Sequence, residues 1–337
     1  MAKSTTIRLM VILATVLTLF GCGGGKKHEA TTDVYVAGVV KDGLTNNNVA
    51  TYWKNGTAVK LTDGTYDAHA ESIFVSGSDV YVAGYEADGT GGASVAKYWK
   101  NGVPVILSNV DNHAEALSIF VSGNVVYVAG YESEERVPVA KYWENGTAVM
   151  LPDGSYAKSI YVSGSDVYVA GHQYNGSLGI AKYWKNKNAV EPDLSDGTSN
   201  ASANSIMVVG SEVYIAGDEN DTAKYWNNGI AIPLQVGTNE SDASSIFVSG
   251  SDVYIAGSEE NDEAEIAKYW KKGSSVPLTD GTHDASAYSI FVLRNNVYVS
   301  GFESNGTVQV AKYWKNSVPV ALSDGTSDAR AHSIFVK

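Results

Sequence analysis

The chain has 337 residues, 44% of them hydrophobic and 18% charged, so it belongs to the globular class and can form one large domain or two ordinary ones. A formal net charge of −13 argues against nucleic acid and anionic lipid surfaces as partners, because both recruit basic patches. Its single cysteine excludes any intramolecular disulfide.

At the N-terminus, Lys3 and Arg8 flank the start of an apolar run, Leu9 to Phe20, interrupted only by Thr15 and Thr18. That run is shorter than the ~20 residues a membrane-spanning helix needs, and it reads as an export signal over residues 1–21. LFGC, Leu19 to Cys22, resembles the lipobox of bacterial lipoproteins, in which a peptidase cuts just before a cysteine that carries diacylglycerol. The resemblance implies a lipid on Cys22, and Gly23 in place of Asp implies passage to the outer membrane of the cell envelope. An ordinary signal peptide with an incidental Cys22 is the alternative. Residues 22–32 then form the lipidated cysteine and a flexible tether, GGGKKHEATT, with a reach of at most ~35 Å. Loss of residues 1–21 removes Lys3 and Arg8 and no acid, leaving a side-chain charge of −15.

From Asp33 onward the chain repeats itself. DVYVAG at Asp33, Asp79 and Asp166 returns as VVYVAG at Val125, EVYIAG at Glu212, DVYIAG at Asp252 and NVYVSG at Asn296. Each copy is followed by a Tyr-Trp segment such as AKYWKNG from Ala96, then by an apolar stretch such as GVPVILS from Gly102, then by Ser-Ile and two apolar residues. The β-branched and aromatic content and the intervening turn signals predict four short strands per unit. Asn55-Gly56, Asn101-Gly102, Asn145-Gly146 and Asn228-Gly229 suit primed two-residue hairpin turns. Four antiparallel strands in roughly 44 residues are the period of a propeller blade, so residues 33–337 are predicted to form an all-β, seven-bladed β-propeller. The chain enters at the second strand type and ends on the first, SIFV at Ser333 to Val336, so the last strand can complete the first blade and close the ring. SIFVSGSDVYVAGYE, Ser72 to Glu86, resembles the opening hairpin of kelch and WD40 blades. Ala83-Gly84-Tyr85 replaces the kelch Gly-Gly doublet and Trp99-Lys100 the WD40 Trp-Asp, so the resemblance implies the fold and no function.

One tryptophan stands in each unit: Trp53, Trp99, Trp143, Trp184, Trp226, Trp270 and Trp314. An aromatic shared by every unit is most simply an inter-blade packing residue. Exposed, the same seven would make a multivalent glycan platform. The lysine before Tyr-Trp and the acid after the preceding strand, such as Lys97 and Glu86, tend to occur or vanish together, unit four keeping its lysine with Gln173, and predict a cross-strand ion pair.

What the units do not share locates a candidate site. The residue before each Ser-Ile is Glu71, Leu117, Lys158, Asn204, Ser244, Tyr288 or His332. If this strand is innermost, the seven ring the channel mouth and offer one asymmetric binding site; a merely solvated rim is the alternative. Glu259, Glu260, Asp262, Glu263 and Glu265 crowd one loop, but their spacing matches no defined calcium loop, so a solvated acidic loop with no metal or other cofactor is expected, and a Ca²⁺ site on these carboxylates is the alternative. The six histidines occupy different registers and define no ring. No zinc, nucleophile-elbow or phosphate-loop motif occurs, which predicts a chain that is not an enzyme. The sequence thus describes a monomeric, lipid-anchored binding scaffold that recognises a protein through its loops and channel mouth. A lectin-like glycan binder is the first alternative, and an enzyme with a channel-mouth active site the second.

Overall fold

The paired turn residues shape each blade. Asn55 and Gly56 sit at φ of 51° and 82°, and Asn101-Gly102, Asn145-Gly146 and Asn228-Gly229 repeat the geometry. Both central residues are left-handed, as a primed turn requires. The asparagine also serves as a clamp: Asn55 Oδ1 accepts the Val34 N–H at 2.8 Å while its Nδ2 donates to Asp33. The computed structural model describes residues 32–89 and 93–337, so the expected export signal, Cys22 and most of the tether lie outside the described residues.

The described chain forms seven four-stranded antiparallel sheets. In the second blade the strands run Ala68–Ser76, Asp79–Ala87, Ser94–Lys100 and Val103–Ile106, from the channel outward. The first blade takes its inner strand from the C-terminus: Ala329–Val336 pairs with Val34–Lys41, with Val336 opposite Val34 and Ile334 opposite Val36. Asp33 and Lys337 exchange both backbone hydrogen bonds at the end of this ladder. The fold is therefore the seven-bladed propeller the repeats predict, closed as their order predicts.

Each tryptophan faces the preceding blade. Trp99 packs with Tyr35, Ala37 and Ala50 of the first blade, and Trp143 with Tyr81, Ala83 and Leu107 of the second. Seven such clusters form the seven inter-blade cores. All seven indoles are at most 1% exposed, so none has a face on which a sugar could stack.

The predicted ion pairs form: Lys97 to Glu86 at 2.6 Å, Lys141 to Glu132 at 2.8 Å, and Lys224, Lys268 and Lys312 to their glutamates at 2.5 Å. Where Gln173 replaces the acid, Lys182 donates to it at 2.7 Å and takes its counter-charge from Asp193 at 3.3 Å. These lysines are buried or nearly so, so losing one partner would strand a charge, a larger cost than a surface pair carries.

The Ser-Ile dipeptides close a second ring around the channel. Ser72 Oγ accepts the N–H of Ile119 in the next blade, and the pattern continues through Ser118, Ser159, Ser205, Ser245 and Ser289 until Ser333 accepts from Ile73. Below it, Phe74, Phe120, Tyr161, Phe247, Phe291 and Phe335 meet at tilted angles with centroids 4.8–5.1 Å apart, and Met207 occupies the remaining place. The apolar ring leaves the polar chemistry of the channel to its mouth.

Candidate functional site

A β-bulge interrupts every inner strand, and the bulged residue is the one that varies. In the second blade the register jumps between Ala70 and Ser72, leaving Glu71 unpaired. The same jump leaves Leu117, Lys158, Asn204, Ser244, Tyr288 and His332 unpaired. The glycine of each VYVAG makes room for it: a Cβ on Gly84 would collide with the His69 carbonyl oxygen, and Gly38, Gly130, Gly171, Gly217, Gly257 and Gly301 stand in the same relation to their inner strands. A shared glycine thus holds open a position whose side chain is free to differ.

All seven bulge residues are half-buried at one end of the channel. A second variable ring lies beside them, two residues earlier: His69, Glu115, Tyr156, Ser202, Asp242, Ser286 and Arg330. Sequence reasoning passed over these residues, although small flanking residues such as Ala68 and Ala70 around His69 carry the signal. Each pairs with a variable residue of the second strand, as His69 with Tyr85 and Asp242 with Ser258.

The mouth is chemically divided. On one side Lys158 Nζ donates to Asn204 Oδ1 at 2.9 Å, and Asn204 donates in turn to Asp218 at 3.1 Å. Ser258 Oγ lies between Asp242 and Glu265 and has one proton to share between them, while Ser286 donates to Glu265 at 2.5 Å and Ser244 to Asp242 at 2.5 Å. Burial lowers the Lys158 pKa against the opposing pull of Asp218 and Asp242, and burial raises both of those carboxyls. Asp218, Asp221, Glu240, Asp242, Glu259 and Glu265 line a cavity of about 250 Å³ there.

The five loop acids divide among different surroundings. Glu259 is engaged by Lys268 and Glu265 by the two serines, while Glu260, Asp262 and Glu263 are exposed.

On the other side, a cavity of about 510 Å³ is lined by His69, Glu71, Tyr85, Tyr288, Arg330 and His332, among others. Glu71 lies between two imidazoles, 3.4 Å from His69 Nδ1 and 3.2 Å from His332 Nδ1. Burial alone would raise the Glu71 carboxyl, but His332 and His69 bring it well below the usual range. Burial pushes Tyr288 up to about 12, so it remains a phenol at neutral pH. The histidines form no ring, as their registers predict, but two of them meet here. His332 is a bulge residue and His69 belongs to the second ring, and closure of the propeller sets these different registers side by side in adjacent blades.

His172 gives the mouth a measurable pH response. Its imidazole is 7% exposed, accepts or donates a 3.3 Å hydrogen bond with Ser202 Oγ, and stacks on Tyr156. Burial and the nearby Lys158 hold its pKa down to about 4. Below pH ~6.5 the unfolded chain binds a proton that the native imidazole refuses, so stability falls as pH falls, until the native group also titrates. The loss is on the order of 3 kcal/mol. Urea midpoints at pH 7 and pH 4.5 should show a smaller acid loss for His172→Phe than for the parent chain; equal losses would assign the acid sensitivity elsewhere.

No protein-family model matches the chain, and no curated protein matches it. Among solved structures it is similar to a Mycobacterium tuberculosis puromycin-hydrolyzing peptidase, with a TM-score of 0.56 and 10% identity over 86% of this chain. The chain spans 51% of that peptidase's length. It is also similar to the β-propeller domain of the Trilobed protease from Pyrococcus furiosus, described as having an open velcro topology, with a TM-score of 0.53, 12% identity, and coverage of 87% of this chain and 93% of that one. These neighbours correct the expectation that the chain is not an enzyme. Propellers of this shape occur in a peptidase and a protease, so missing catalytic motifs are no ground for that conclusion. At such identities the likeness carries the fold and assigns no activity.

Proposed function

We propose that this chain is a lipoprotein of the cell envelope, anchored at the outer membrane by Cys22, in which a monomeric propeller recognises a protein partner through the channel mouth and its surrounding loops. The division between shared and varied positions carries the reading. The tryptophans, the Ser-Ile dipeptides and the VYVAG glycines are all engaged in building the ring, whereas the seven bulge residues differ in size and charge around one opening. Such an opening suits one partner in one orientation, and its acidic side favours a basic segment of that partner. The buried indoles weigh against the glycan platform.

The test is site-directed photo-cross-linking in intact cells, with a photoreactive residue at Leu117 in the mouth or at exposed Asn124 in the turn at the other end of the same inner strand. One discrete species from position 117, lost on Tyr288→Ala and absent from position 124, is expected. The Cys22→Ala variant should move from the membrane to the soluble fraction. A species that forms equally at both ends overturns mouth recognition, and undiminished membrane attachment of Cys22→Ala overturns the anchor.

A further inference from the structure

We infer that His69, Glu71 and His332 form a binding site for a single divalent transition-metal cation of the Zn²⁺ class at the channel mouth. The inference goes beyond recognition of a partner and requires none. One donor atom from each residue lies within 4.8 Å of the others, and all three side chains are half-buried. Four-coordinate Zn²⁺ with bonds of ~2.0–2.2 Å places its ligand atoms roughly 3.3–3.6 Å apart. His69 Nδ1 is 3.4 Å from Glu71 Oε1 and His332 Nδ1 is 3.2 Å from Glu71 Oε2, so each imidazole meets one carboxylate oxygen near that spacing, and the set within 4.8 Å has to contract slightly onto one cation. Two imidazoles and one carboxylate suit Zn²⁺ and its late first-row neighbours, and are poor company for Ca²⁺ or Mg²⁺, which take oxygen ligands.

The surroundings supply what a metal-binding histidine needs on its far side. His69 Nε2 lies 3.2 Å from Asp67 Oδ2 and 3.1 Å from Asn48 Nδ2, leaving Nδ1 turned toward Glu71. A carboxylate on the second ring nitrogen fixes the tautomer and orientation of a ligating imidazole and raises its basicity. Tyr85 stacks on the His69 ring with centroids 4.8 Å apart, and Tyr288 meets His332 edge-on at 5.6 Å, so both imidazoles are held in place. The adjoining cavity of about 510 Å³ leaves space for a fourth ligand, water or a group from a bound molecule. Ring closure makes the site: His332 is on the C-terminal strand, and it reaches the second blade, where its Nδ1, 3.3 Å from the Ala70 carbonyl oxygen, gives up that hydrogen bond and its proton when the metal binds.

The purified full-length chain, stripped with a chelator, should bind one Zn²⁺ in competition with a chromophoric chelator. His69→Ala and His332→Ala should each weaken binding more than ~100-fold, and Asp67→Asn by ~10- to 100-fold, whereas exposed His283→Ala should leave it unchanged. Melting curves confirm that each variant is folded. Co²⁺ added to the unaltered chain supplies a reading free of any folding defect, since ligation by this set should give visible d–d absorption that Zn²⁺ displaces. Absence of saturable binding, or affinity indifferent to His69 and His332, would overturn the inference and leave the cluster a hydrogen-bonded ion pair only.

Discussion

Replacing Trp99 with alanine should cost the propeller ~3–5 kcal/mol, the range for removing a large aromatic from a packed core. Trp99 is 1% exposed and fills the interface between the first and second blades, against Tyr35, Ala37, Ala50 and Val82. The backbone that holds it is tied into ladders on both sides, so the interface can collapse only partly around the void. Lys97 also lies over the indole, with its Nζ 5.9 Å from the ring centroid, and loses that contact. Guanidinium unfolding with circular dichroism detection measures the effect. The folded fraction should keep its mouth geometry, because Trp99 contributes nothing to that opening. A midpoint within error of the parent would mean that the tryptophans are not the cement of the blades.

Deleting Ser333 to Lys337 should be more damaging, since several independent interactions end together. The first blade loses the ladder from Val34–Val336 to Ala37–Ser333, together with the buried side chains of Ile334 and Val336. The ring of Ser-Ile hydrogen bonds opens where Ser333 accepts the Ile73 N–H at 3.2 Å. Phe335 leaves the aromatic ring, where it bridges Phe74 and Phe291. Burial of Ile334 and Val336 alone is worth about 1.5–3 kcal/mol each, and an unpaired inner edge invites association with other chains. The truncated chain should melt well below the parent or accumulate as aggregate, as differential scanning calorimetry and size-exclusion chromatography would show. A soluble monomer with the parent Tm would mean that closure through the last strand does not stabilise the ring.

Local chemistry repeated often enough was sufficient for the architecture. Asn-Gly pairs select hairpins, four strands per unit select blades, and the order of strand types at the two ends selects the closure, because each rests on interactions between residues close in sequence or equivalent by repetition. The ion pair of Lys97 and Glu86 was legible for the same reason: cross-strand neighbours in a hairpin can be counted along the chain. Variation marked the bulge positions, since a residue held to no packing role is free to differ, but it could not show why they differ. Only the tertiary structure decided that the glycine beside each bulge has no room for a Cβ, and that the Ser-Ile serines join neighbouring blades. The convergence of His69, Glu71 and His332 depends on more still. Two of these residues are near neighbours and the third, His332, lies more than two hundred positions away, in the bulge register that Glu71 shares and His69 does not. They meet because the last strand completes the first blade, and that long-range pairing places side by side what periodicity alone assigns to different rings.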